Sequence, residues 1–99
     1  MHDDLEIFLH NHAGLVLVNL WECGCYASAY MERLMYELER RSRIPILRLT
    51  LADHRDWARV HGVYGTPALI AYYQGKPLFR IIGRVTPTEL LQRLHGYDL

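Results

Sequence analysis

Val18-Asn19-Leu20-Trp21-Glu22-Cys23-Gly24-Cys25-Tyr26-Ala27-Ser28 joins the end of an apolar run to the start of a patterned one, and it holds both cysteines of the chain. Upstream, Leu15 to Leu20 is nearly uninterrupted in apolar residues. Its length and valine content predict a strand buried on both faces, as in the middle of a sheet covered by helices. Downstream, Ala27, Met31, Leu34, Met35 and Leu38 recur at three- and four-residue steps, which predicts a helix from about Cys25 to Arg41 that buries this stripe. The cysteines therefore stand at a strand-to-helix junction. A helix start offers unpaired N–H groups and the positive end of the peptide dipoles, so a cysteine there ionises more readily and attacks disulfides as the thiolate.

Further along the chain, Leu5, Phe8 and Leu9 follow Asp3 and Asp4 at helical spacing and stop before Asn11 to Gly14, predicting a short first helix. Pro45 ends the long helix, and Ile46 to Leu51 alternates imperfectly, with Arg48 and Thr50 as its polar positions, as a second strand does. Asp53 is the expected cap of a helix carrying Trp57, Ala58 and Val60, with Gly62 as its stop. Two strands follow, Ala68 to Tyr73 and Leu78 to Ile82, joined by Gln74-Gly75-Lys76-Pro77 in a connection short enough for an antiparallel hairpin. In the last helix Thr86 is the N-cap, Pro87 the first helical residue, Glu89 the partner in a capping box and Gly96 the stop. A strand-helix-strand unit followed by a hairpin and a helix implies a mixed α/β sheet with helices on both faces.

Composition narrows the function classes. The 99 residues read as a single domain spanning 1–99, large enough for one core, and half of them are apolar or aromatic. Eleven basic and eleven acidic residues leave no net charge, so neither nucleic acid nor an anionic membrane is expected as a partner. No segment is long or apolar enough to span a bilayer. Arg40-Arg41-Ser42-Arg43, the one basic cluster, reads as a solvated helix end. The start His2-Asp3-Asp4 lacks the pattern of a signal peptide, so a cytoplasmic location is expected. In a reducing compartment, closely spaced cysteines are more often redox-active or metal-binding than structural.

The order of elements and the residues at their junctions resemble the thioredoxin family. Gly14 to Trp21 is similar, position by position, to the strand leading into that family's active site, including its terminal Trp. Gly62-Val63-Tyr64-Gly65-Thr66-Pro67-Ala68 resembles the segment holding the family's cis-proline, and Gly83 falls at a similarly placed glycine. The resemblance implies a thioredoxin-like α/β fold, a mixed four-stranded sheet flanked by helices on both faces with the family's first strand missing. It also implies thiol-disulfide oxidoreductase activity on protein or low-molecular-weight disulfides, with no cofactor and no metal.

The cysteine motif departs most from the family's Trp-Cys-Gly-Pro-Cys. If Cys23 and Cys25 match the two family cysteines, the loop has lost residues and Glu32 takes an inward helix position. Read without a gap from Trp21, Cys25 matches the nucleophile and Ser28 the second cysteine, and Met31, Leu34, Met35 and Leu38 fall at buried positions. The ungapped reading is preferred, because burying an unpartnered carboxylate costs more than altering a loop. Cys25 is then the expected nucleophile and Cys23 the resolving thiol. Gly24 supplies the bend a Cys23–Cys25 disulfide needs, and so small a ring would be strained and easily reduced. The plain structural alternative is two reduced thiols that merely lie close together.

Other expectations follow from the same resemblance. A cis Thr66-Pro67 bond turns the Thr66 backbone toward the cysteine loop, where it is free to pair with an extended substrate segment. Asn19 stands at the position of the family's buried aspartate and cannot accept a proton at neutral pH, while Arg48 matches the usual lysine companion. Trp21 is expected to support the loop, and Tyr26 and Tyr64 to flank the site with aromatic surface. His10 and His12 with Cys23 and Cys25 would suffice in number for zinc or copper, but their spacing matches no strong signature, and His54, His61 and His95 read as exposed helix residues. With no strand before the first helix, Ile46 to Leu51 becomes a sheet edge, which predicts a homodimer or partner docking there. The competing function is a redox-inefficient adaptor or chaperone that binds peptide segments of a partner.

Overall fold

The computed structural model describes residues 3–97. The elements run α1 (Asp3–Asn11), β1 (Leu15–Trp21), α2 (Tyr26–Arg41), β2 (Ile46–Thr50), α3 (Arg55–Val60), β3 (Ala68–Tyr73), β4 (Lys76–Ile82) and α4 (Pro87–Leu94). The four strands lie in the order β2-β1-β3-β4. β1 pairs with β2 in parallel and with β3 antiparallel, and β3 and β4 form the antiparallel hairpin.

Alternation along β1 divides the core between two faces of the sheet. Leu15 and Leu17 pack with Met31, Met35 and Leu38 of α2 and Leu90 and Leu94 of α4. Val16, Val18 and Leu20 pack on the other face with Leu9 of α1 and Trp57 and Ala58 of α3. The strand is apolar throughout because both of its faces are covered. Asn19, next in the odd-numbered series, therefore points toward the α2 and α4 face.

Local chemistry accounts for most boundaries. Thr86 Oγ1 accepts from the Glu89 N–H at 3.1 Å and Pro87 opens α4, as the capping pattern predicts. Asp53 does not cap α3: His54 is the flanking residue and forms no side-chain cap bond. Asp53 instead accepts from the Thr50 hydroxyl at 2.9 Å, closing the turn after β2. β4 starts two residues earlier than expected, and the irregular register between Ala71 and Tyr72 accommodates Pro77 in the strand.

β2 lies at an edge of the sheet. Leu17 N–H donates to Pro45 C=O and Leu51 N–H to Trp21 C=O, both at 3.0 Å. With the parallel register, these bonds turn Leu47 and Leu49 toward β1 and leave the backbone of Ile46 and Arg48 facing outward. Among the described residues these outward groups have no backbone partner.

Candidate functional site

Cys25 is the residue flanking the start of α2, with extended backbone (φ −97°, ψ 115°), and its C=O accepts from the Ala29 N–H at 3.1 Å. It is half-buried, whereas Cys23 is exposed, and both are free thiols. Gly24 between them has φ +81°, and no atom lies near the place a Cβ would take. Glycine is favoured there by the backbone and not by crowding. The cysteines thus occupy different settings, one against the helix and one outside it.

Ser28, Met31, Met35 and Leu38 are the buried residues of α2. Glu32 lies outside that stripe, half-exposed and ion-paired with Arg48. No carboxylate is among the buried residues of α2, and Leu34, expected in the buried stripe, is only partly buried. Ser28 sits one helical turn after Cys25, at 3% exposure, with its Oγ accepting from the Glu22 N–H at 3.3 Å.

Cys25 makes no side-chain cap bond. The Ser28 hydroxyl and then the Ser28 N–H hold the thiol below its ordinary value, with smaller contributions from the Thr66 hydroxyl and the Ala27 N–H. Partial burial opposes them and does not prevail. A donor turned to the sulfur favours its anion, as does the positive end of the helix. The thiolate is the reactive form of cysteine, and a lowered value makes it more accessible.

The loop before β3 meets the cysteine loop through Thr66 and Glu22. Thr66–Pro67 is a cis peptide bond. Pro67 is buried, its C=O accepting from the Gly83 N–H at 2.8 Å. Thr66 Oγ1 donates to Glu22 Oε1 at 2.5 Å, tying this loop to the cysteine loop. Tyr26 and Tyr64 are exposed to 95% and 73%. A groove of about 530 Å³ runs from the cysteines toward β2, with Trp21, Ser28, Glu32 and Arg48 among its walls.

Asn19 is completely buried, and neither its Oδ1 nor its Nδ2 has a hydrogen-bond partner among the described residues. Arg48, opposite it in the sheet register, turns instead to Glu32 and Glu39. His10 pairs with Glu6 on α1, and among the described residues no three His, Cys, Asp or Glu side chains gather as a metal site. His61 is a correction to the expectation of an exposed ring. It is half-buried, with Nδ1 3.0 Å from the Trp57 carbonyl and Nε2 2.6 Å from Tyr72 Oη. The roles of Glu22, Glu32 and Glu39 were missed, because their partners lie far away in the chain and no local spacing signals them.

No protein-family model and no curated protein matches the chain. Solved structures do. A mutant thioredoxin from Halobacterium salinarum NRC-1 superposes with a TM-score of 0.85 at 17% identity, over 96% of this chain and 83% of that one. Mitochondrial thioredoxin 3 from Saccharomyces cerevisiae, in its oxidized form, gives 0.79 at 16% identity, over 90% of this chain and 83% of its own. A structure concerned with the thiol-resolving mechanism in yeast mitochondrial 1-Cys peroxiredoxin via glutathione and thioredoxin systems gives 0.80 at 17% identity, with the same coverages of 90% and 83%. At these identities the likeness is one of architecture, and the arrangement of β1, α2, the cis-proline loop and the β3–β4 hairpin is that of the thioredoxin fold.

Proposed function

We propose that the chain, read as one domain over residues 1–99, is a small thiol-disulfide oxidoreductase with Cys25 as its nucleophile. The observation that carries this reading is the setting of Cys25: half-buried at the start of α2, with the Ser28 hydroxyl and N–H lowering its pKa. In the reaction the Cys25 thiolate attacks one sulfur of a substrate disulfide. A mixed disulfide forms and the other substrate sulfur leaves as a thiolate. Cys23 then attacks the Cys25 sulfur, releasing the second substrate thiolate and leaving a Cys23–Cys25 disulfide, or an external thiol performs the same displacement. Thr66 and Pro67 offer the edge along which an extended substrate segment lies, with Tyr26 and Tyr64 flanking it and Trp21 supporting the loop. The partners are protein or small-molecule thiols and disulfides, and a reducing compartment such as the cytoplasm suits a protein working through free thiols. Among the described residues no helix is long and apolar enough to cross a membrane.

Redox titration read by mass spectrometry, together with insulin reduction, tests the proposal. A Cys23–Cys25 disulfide should form, and Cys25→Ser should abolish exchange. If Cys25→Ser is indistinguishable from the parent and no disulfide forms, the enzyme reading is lost. A Cys23→Ser chain that retains glutathione-dependent exchange would indicate that Cys25 works alone.

Asn19 favours the second reading, an adaptor or chaperone that holds peptide segments without efficient turnover. A buried amide cannot take the proton that a resolving thiol must lose, so resolution lacks a base there. The open edge of β2 is the proposed site for a second copy or for docking of a partner strand.

A further inference from the structure

Glu22 touches both hydroxyls that flank Cys25. Its backbone N–H donates to Ser28 Oγ at 3.3 Å, and its Oε1 accepts from Thr66 Oγ1 at 2.5 Å. These contacts use the two hydroxyls in opposite senses. Ser28 acts as an acceptor toward Glu22, so its own proton stays available for the Cys25 sulfur. Thr66 has one hydroxyl proton, and that proton is given to the carboxylate.

We propose that Glu22 is a positioning residue for Cys25, one that leaves Ser28 as the hydroxyl serving the sulfur anion and withholds Thr66 from doing so. The role rests on Cys25 being the nucleophile of the exchange reaction proposed above. Ser28 and Thr66 both lie where a donated proton favours the thiolate, Ser28 more strongly. One proton cannot serve the carboxylate and the sulfur together, so Thr66 reaches its full effect on Cys25 only when Glu22 lets it go. The negative charge of Glu22 in the same groove also opposes a second anion there. Glu32 and Arg48, the other charged side chains lining the groove, pair with one another, and Glu39 holds the far side of Arg48. Glu22 is thus a charged group of the groove that acts directly on a hydroxyl of the site.

The experiment compares four chains carrying Cys23→Ser: the parent, Glu22→Ala, Thr66→Val and both together. The readout is the pH profile of Cys25 alkylation by iodoacetamide, with thiolate absorbance as a second measure. With Thr66 present, Glu22→Ala should move the profile to lower pH and raise the rate near pH 6 about threefold, the equivalent of half a pKa unit. With Thr66→Val, the same change should have less than half that effect, because the contested proton is gone. Equal shifts in both backgrounds would reduce Glu22 to a distant charge and overturn the proposal, as would no shift in either. A parent whose Cys25 never titrates would remove the nucleophile, and with it both the exchange reaction and this role. Glu22 is exposed, and unchanged thermal midpoints would establish that all four chains are folded.

Discussion

Arg48 of β2 grips Glu39 of α2 with both terminal nitrogens, Nη2 3.0 Å from Oε1 and Nη1 3.1 Å from Oε2, while its Nε donates to Glu32. The fork of the guanidinium matches the carboxylate plane, so this edge strand is tied to the long helix at two points along it. Hydrogen bonding from Arg48 holds the Glu39 carboxyl below its ordinary value of 4.5. A depressed folded value means that the contribution to stability is present above pH 4.5 and is lost as pH falls through the folded value. Urea unfolding of the parent should therefore weaken more steeply on acidification than that of Glu39→Gln. Parallel pH dependences of the two midpoints would show that the pair contributes nothing.

Ser28→Ala removes the largest influence lowering the Cys25 thiol. The pH profile of alkylation should move up, and the rate at neutral pH should fall several-fold while the chain stays folded. An unchanged profile would mean that the helix end alone activates the sulfur.

Asn19 carries two buried polar atoms without partners among the described residues, between Arg48 and Leu69 in the sheet register. Replacing it with an apolar residue of similar shape removes their desolvation penalty. Asn19→Leu should raise the unfolding free energy by about 1 kcal/mol, measured by urea denaturation. A loss of that size would instead place a bound water on the amide.

Tyr72 Oη lies 2.6 Å from His61 Nε2, and His61 Nδ1 faces the Trp57 carbonyl. A carbonyl only accepts, so Nδ1 carries the proton and Nε2 receives the phenol's. Tyr72→Phe leaves that nitrogen unserved and should cost about 1 kcal/mol. Burial first, and then the charge of Glu6, push the Tyr72 phenol from 10.0 up to about 12. Its contribution is complete below pH 10.0 and disappears as pH rises through about 12, a step that should be missing from ultraviolet titration of Tyr72→Phe.

The β2 edge should give weak, concentration-dependent self-association in size-exclusion chromatography with light scattering. Five residues pair over far less than the roughly 1,000 Å² of a stable interface, so a tight dimer is not expected from this edge alone. A strict monomer at high concentration would leave only a partner strand as its occupant.

Short-range chemistry was legible in the chain itself. The period of Met31, Met35 and Leu38, the unbroken run of β1 and the Thr86-Pro87-Glu89 cap each act within a turn or a strand, so spacing alone places them. The same period placed Ser28 one turn below Cys25 and kept Glu32 out of the core. Asp53 closes the turn after β2 and does not cap α3, because a capping residue type serves turns equally well and here accepts from the Thr50 hydroxyl. Other relationships needed the folded chain. Glu22 meets Thr66 across 44 positions and Trp57 meets Glu6 across 51, distances at which no pattern of residue types identifies a partner. The sequence by itself determined that a cysteine begins a helix after a buried strand. Only the tertiary structure decided which hydroxyls and which carboxylate surround it, because hydrogen-bond partners are set by where the sheet brings distant loops together.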